Sequence, residues 1–270
     1  MAVVTVSRGA GSRGQDFARE LAERLGYALV SREDVTREAA RYGVPAETLQ
    51  AALLAAPGFW DRLTLDRKRY LAFVQAVLSE HARKDRIVYE GNAGHLLLRG
   101  ISHVVCIRLL APFRLRVQTA MERLGMSDEE AVRYIETSDR ERESWTRFLY
   151  GVDWLDPTLY DVTLNLRTLA LEGAVEAALA VVRRAEFAPT DESRRAMEDL
   201  VLESRVRAAL AADDETVAAA VQVHADAGVV ALRGRVRPSR MVDAVTRVAR
   251  GVDGVKEIEG KDLDSPEYTV

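Results

Sequence analysis

The segment Val3 to Asp16 limits what this chain can become more than any other stretch. A β-branched run, Val3 to Ser7, stops at a glycine-rich turn, Arg8-Gly9-Ala10-Gly11-Ser12-Arg13-Gly14. A helix-period stretch follows, with Phe17, Ala18, Leu21, Ala22 and Leu25 on one face and Gly26 in the C-cap position. Tyr27 to Val30 then reads as a second strand. Strand, tight turn, helix, strand is the opening of a βαβ unit. Glycines at the turn let several N–H groups converge, and the helix N-terminus adds its partial positive charge, so phosphate is the natural guest. Gly9 and Gly14 match G-x-x-x-x-G, but Gln15 and Asp16 stand where that motif has Lys and Ser or Thr. Arg8 and Arg13 are the local cations that can replace the lysine.

The net charge of the 270 residues is −4, so bulk charge does not favour nucleic acid and anion binding must come from local arginines. The single cysteine, Cys106, excludes an internal disulfide and a cysteine-based metal site, and fits a reducing compartment. His81, His95, His103 and His224 lack ligand-like spacing. The amino-terminal residues put an apolar run before Arg8 and Arg13, the reverse of a signal peptide, and no apolar stretch approaches the ~20 residues of a membrane span. The expectation is a cytoplasmic protein.

Strand and helix patterns alternate as far as residue 185. Strands are predicted at Arg86 to Glu90, His103 to Leu109 and Tyr160 to Leu166. Helices are predicted across Arg32 to Arg83 (broken near Gly43 and Pro57) and at Gly91 to Arg99, Pro112 to Leu124, Ser127 to Leu149 and Thr168 to Ala185. Ser127 with Glu130 reads as a capping box. This is the pattern of an α/β, P-loop-type, doubly wound, mostly parallel sheet with a helical lid. A polar linker, 187 to 193, leads to an α+β module. It has a helix at 194–212, strands at 217–224 and 228–236 joined by an Asp226-Ala-Gly228 hairpin, a helix at 239–250 and a strand at 255–258. The predicted domains are therefore 1–187 and 192–262, with a tail at 263–270.

Several segments together resemble the cytidylate-kinase-like family. They are Val-Thr-Val-Ser-Arg8 through Gly14 and Leu-Ala-Glu-Arg-Leu25-Gly26, Tyr89-Glu90-Gly91-Asn92, Ala111-Pro112 through Arg123, Asp139-Arg-Glu-Arg142 with Trp145, and Asp156-Pro157 through Tyr160-Asp161. That family also lacks the usual P-loop lysine, and it usually carries an arginine where this chain has Asn92. The resemblance implies phosphoryl transfer from ATP, with Mg2+, to a nucleoside monophosphate such as CMP. Such chemistry depends on positioning and positive charge, not on a covalent nucleophile.

On that basis Arg8, Gly9, Gly11, Ser12, Gly14, Gln15 and Asp16 are the expected ATP-binding set. Arg13, Arg123, Arg142 and Asp139 are the expected catalytic residues, with Asp139 orienting an arginine. Asp34, Asn92 and Asp161 are expected to meet the acceptor, and Asp16 is the candidate for Mg2+. The plainer reading of residues 122–147 is a solvated helix laced with ion pairs. Trp60, Tyr70, Phe73 and Trp145 read as packing residues, and Cys106 as an inert core residue.

Residues 192–262 resemble the BON domain, through Gly228-Val-Val-Ala-Leu232-Arg-Gly234 and Val252-Asp-Gly254-Val255. That family is linked to membrane surfaces and ligand sensing, so the module's expected partner is a small ligand, an anionic lipid surface or a protein. Arg233, Arg235, Arg237 and Arg240 form a basic edge, read either as a docking surface or as charges guarding a strand edge. Three functions stay open: a monophosphate kinase, a nucleotide sensor without turnover, and an adaptor. The sequence leaves the oligomeric state open.

Overall fold

The computed structural model describes residues 2–45, 47, 64–91, 93–236 and 240–264. Its contacts divide the chain into two units, Met1–Asp34 with Lys84–Ser193, and Val35–Arg83 with Arg194–Val270.

The first unit is built on a five-stranded sheet of β1 (Val3–Arg8), β2 (Ala28–Ser31), β3 (Ile87–Glu90), β4 (Val104–Leu110) and β5 (Val162–Asn165). Their order is β2-β3-β1-β4-β5, and every pairing is parallel. The chain leaves β1 toward one edge and later returns to fill the other. That arrangement opens a crevice at the carboxyl end of β1, the usual ligand position in such sheets. Val4, Val6, Val105, Ile107 and Leu109 point to one face. There they meet Phe17, Ala18 and Leu21 of α1 (Gly14–Leu25) and Ala174, Val175 and Ala178 from Leu171–Val182. Residues between them in β1 and β4, including Ser7 and Arg108, face the other side because strand side chains alternate.

Helices α2 (Arg32–Ala39) and α3 (Thr64–Ala82) follow β2, and the four-residue α4 (Gly94–Leu97) follows β3. After β4 come α5 (Phe113–Leu124) and α6 (Asp128–Tyr150), the expected lid helix. Ser127 and Glu130 form the expected reciprocal capping box on α6. After β5, α7 covers Leu171–Val182.

In the second unit, α8 (Asp191–Ala212) precedes a hairpin of β6 (Ala220–Asp226) and β7 (Val229–Arg235). α9 (Arg240–Arg250) and β8 (Glu257–Asp264) follow, β8 lying parallel to β7. Positive φ at both Ala227 and Gly228 gives the tight two-residue connection that a twisted hairpin favours. α3 also belongs to this unit: Glu80 receives Arg41 at 2.6 Å and Arg205 at 2.8 Å. Tyr42 stacks on Phe73 at 4.9 Å, so Phe73 is the packing residue its sequence context suggests.

Three boundaries differ from the sequence expectation for local reasons. α8 starts within the predicted linker, because Thr190 and Ser193 cap one another through reciprocal backbone bonds. β6 starts at Ala220, not Val217, because the Asp213 carboxylate captures the Glu215 and Thr216 amides and holds that stretch in a turn. β8 runs to Asp264, past the predicted end at Ile258. Trp60 and residues 265–270 lie outside the described residues.

Candidate functional site

The turn after β1 closes as its composition predicts. Gly9 accepts from the Ser12 hydroxyl at 2.7 Å and from the Ser12 amide at 3.3 Å. Arg13 adopts the left-handed conformation at φ 62, and the first α1 bond runs from Phe17 N to Arg13 O. The amides of Gly14, Gln15 and Asp16 therefore precede the helical ladder and are available to an anion.

The three glycines are required by crowding. A Cβ on Gly9 would lie 2.9 Å from the Arg116 guanidinium, one on Gly11 would overlap the Arg116 carbonyl oxygen, and one on Gly14 would overlap the Arg8 side chain. Arg116 fastens the turn from above. Its Nε donates to Ala10 O at 2.7 Å, while its two terminal nitrogens grip Asp139 of α6 at 2.7 Å each. Asp139 thus orients an arginine, as expected, and that arginine is Arg116. Arg116 is not among the residues the sequence singled out; the missed signal was the absence of side chains at Gly9 and Gly11.

Above the turn lies a cavity of about 170 Å³, lined by Arg8, Gly9, Gly11, Ser12, Arg13, Gly14 and Gln15. Its opposite wall is Thr119, Ala120, Arg123 and Leu124 from α5 and Tyr134 from α6. The expected ATP-binding residues, apart from Asp16, therefore converge on one hollow with Arg13 and Arg123. Asp16 sits at its rim, ion-paired to Arg123 and, at 3.3 Å, to Arg13. Partial burial works to raise the Asp16 carboxyl, but Arg123 and then Arg13 outweigh it and hold the group below its usual range.

The remaining expected residues are elsewhere. Asp34 caps α2, accepting from the Ser31 amide at 3.1 Å and hydroxyl at 2.6 Å. Asp161 accepts from the Cys106 amide at 2.7 Å at the start of β5. Neither lines the hollow, and both are engaged in local structure. Asn92 lies outside the described residues. Arg142 reaches the end of β1, donating to the Arg8 carbonyl. Burial, and then the neighbouring Arg8 cation, lower its pKa to about 9, with Asp139 opposing. Arg8 is itself paired with Glu90, which is only 2% exposed.

Asp16, the expected magnesium ligand, is paired with two guanidiniums, and among the described residues no group of three or more His, Cys, Asp or Glu side chains could hold a metal ion by itself, so Mg2+ would have to be held chiefly by the nucleotide's phosphates. For a nucleotide's phosphates the fit is good, since free amides, glycine clearance and arginines share one hollow.

Residues 3–168 match the model of the cytidylate kinase-like family. The chain belongs to that family. Residues 198–261 match the BON domain, which accounts for the small C-terminal sheet and its helices. Cytidylate kinase of Ignicoccus hospitalis is 31% identical over 179 residues, covering 65% of this chain and 96% of that one. Cytidylate kinase of Pyrobaculum aerophilum is 31% identical over 182 residues, covering 66% and 91%. An uncharacterized protein from Eubacterium ventriosum superposes with a TM-score of 0.54 at 17% identity, covering 67% of this chain and 97% of that one, and supports the fold. As a member of a kinase-like family, the chain has its arginine-rich hollow where the parallel sheet places ligands.

Among the described residues no helix is long and apolar enough to cross a membrane. On the BON module's basic edge, Arg233 is exposed, whereas Arg237 and the side chains of Arg235 and Arg240 lie outside the described residues.

Proposed function

We propose that this chain transfers a phosphoryl group from ATP to a CMP-like nucleoside monophosphate, with its BON module serving localisation or regulation in the cytoplasm. The observation that carries the proposal is the hollow over the glycine turn, in a chain of a kinase-like family. ATP supplies the transferable group. The amides of Gly14, Gln15 and Asp16 bind its phosphate oxygens, and Arg13 and Arg123 exchange Asp16 for the same anion. Arg116, oriented by Asp139, holds the turn in shape so that these donors need no rearrangement during transfer. Arg142 stands at the end of β1, where charge moves between donor and acceptor. The described side chains form no magnesium cage, so no step is assigned to protein-bound metal.

A coupled assay with ATP-Mg and a panel of monophosphates tests this. Turnover that is highest with CMP and falls at least about 100-fold in Arg142→Ala supports it. One observation favours a second reading, a nucleotide sensor: Gln15 replaces the usual lysine while Asp16 occupies Arg13 and Arg123. Thermal stabilisation by ATP with no turnover on any monophosphate would select the sensor.

A further inference from the structure

A separate cavity lies wholly within the second unit. Its volume is about 250 Å³, and its walls are α3, α8 and the stretch from Thr216 into β6. The α3 wall belongs to the stretch that matches the kinase-like family, whereas the other two walls belong to the BON match. Neither stretch forms the cavity alone. Small side chains make the room: Ala72 on α3, Ala211 on α8 and Ala219 ahead of β6. Arg69 of α3 donates from Nε to the Ala211 carbonyl at 2.9 Å, and the Thr216 hydroxyl donates to the Leu210 carbonyl at 2.7 Å. Both bonds end on α8 main chain and set the spacing of the three walls.

The chemistry of the lining is one-sided. Leu71, Leu210, Val217 and Val221 join the alanines, so the interior is mainly apolar, and Arg207 is the charged residue on it. The Arg207 Nη2 donates to Glu203 at 2.7 Å. That carboxylate also accepts the Ala225 amide at 3.1 Å and lies 2.8 Å from the His224 Nδ1, so it is divided among three groups. The Arg207 Nε is buried without an acceptor among the described residues, although buried N–H donors are normally bonded. A guanidinium carries five donors, and Glu203 uses a minority of them. An apolar cavity with one part-used cation on its wall complements an amphiphile with an anionic head: the walls bury the chain and the guanidinium bonds the charge. Size narrows the guest further. An apolar cavity of ~150 Å³ takes one benzene, so 250 Å³ takes roughly ten non-hydrogen atoms.

We propose that this cavity binds a medium-chain carboxylic acid, roughly eight carbons long, with its tail against Leu71, Leu210 and Val221 and its carboxylate on the Arg207 guanidinium. The planar fork of an arginine suits a carboxylate. A bound acid touches α3 and the BON module together, so the module senses a small free acid without needing a membrane surface. This inference does not depend on the phosphotransferase reading.

Calorimetric titrations of the full chain with octanoate, octan-1-ol and octylamine test the assignment. Octanoate should saturate one site at roughly 0.1–1 mM and bind at least about tenfold more tightly than octan-1-ol, with octylamine weakest. Arg207→Met keeps an unbranched stem and deletes the charge. It should lower octanoate to the affinity of octan-1-ol while leaving octan-1-ol within about twofold of wild type. Ala211→Phe fills the cavity from α8, and Ala72→Phe fills it from α3; each should abolish binding of all three compounds.

Arginine Nε resonances of the wild-type protein provide a readout independent of any variant's folding. Octanoate must move the Arg207 signal, and the same concentration of acetate, a head without a tail, must not. Equal affinity for the three octyl compounds, an Arg207 signal that ignores octanoate, or octanoate binding undiminished in a folded Ala211→Phe protein overturns the inference. Displacement of octanoate by phosphatidylglycerol vesicles also overturns it, by assigning the cavity to a membrane acyl chain instead of a free acid. ATP and CMP titrations are untouched by any of these outcomes, so the kinase reading stands or falls separately.

Discussion

Replacing Gly11 by alanine is the sharpest perturbation of the turn. Gly11 has φ +69, where an L-residue costs about 1–2 kcal/mol relative to glycine. Its new Cβ would also overlap the Arg116 carbonyl oxygen, which belongs to the α5 backbone, and lie 2.9 Å from Ile135 Cδ1. The first neighbour is backbone and Ile135 is fully buried, so neither yields freely and overpacking adds about 1–3 kcal/mol. The expected destabilisation is about 2–5 kcal/mol in total. Gly26 is the internal control: it has nearly the same φ, +66, but an added methyl there would meet nothing within 4 Å. Gly26→Ala should cost only the conformational part, about 1–2 kcal/mol. Urea unfolding of both variants measures the difference, and titration with ATP measures its consequence, a loss of at least about tenfold for Gly11→Ala alone. Equal unfolding midpoints with unchanged ATP binding would refute the claim that Arg116 and Ile135 crowd the turn.

Three further outcomes follow from buried or paired groups. Burial, and then Arg108, lower the His95 pKa to about 4 from 6.5. The unfolded chain therefore binds the extra proton first: stability is complete above pH 6.5 and falls by up to about 3 kcal/mol as pH drops toward 4. Urea melts across this range should show the slope, and His95→Gln should flatten it. Burial pushes the Cys106 thiol up to about 11, so maleimide should label native protein about 100-fold more slowly than an exposed thiol at pH 7.5, and promptly once the chain unfolds. Asp16→Asn frees Arg13 and Arg123 from their internal anion. ATP affinity by calorimetry should rise about three- to tenfold, whereas a fall would mean that Asp16 positions those arginines for the nucleotide.

The fold was legible wherever a local pattern decides the outcome. The β-branched run before the glycine turn, the apolar stripe of Phe17, Leu21 and Leu25, and the Ser127–Glu130 box each specify their element without help from distant residues. Boundaries failed where one side chain captured main chain, as Asp213 does before β6 and Thr190 does before α8. The hollow was legible from its glycines and from Arg13 and Arg123. Its fastening was not, because Arg116 reaches Ala10 across 106 positions and Asp139 across 23, and no short motif encodes such distances. Arg108 was invisible for a related reason. Within the apolar run of β4 it looks like a strand residue, and only the topology brings Trp154 and Tyr160 to it. Asp34 and Asp161 each accept from a backbone amide, Ser31 and Cys106 respectively, contacts that no motif in the sequence specifies.

The central claim is that the turn after β1 holds a nucleotide's phosphates. Titration calorimetry of the full chain with ATP tests it most directly. The account predicts one saturable site at micromolar to low millimolar ATP, weakened at least about tenfold in Gly11→Ala and preserved in Gly26→Ala. No heat at several millimolar ATP, or a site indifferent to Gly11→Ala, would contradict it.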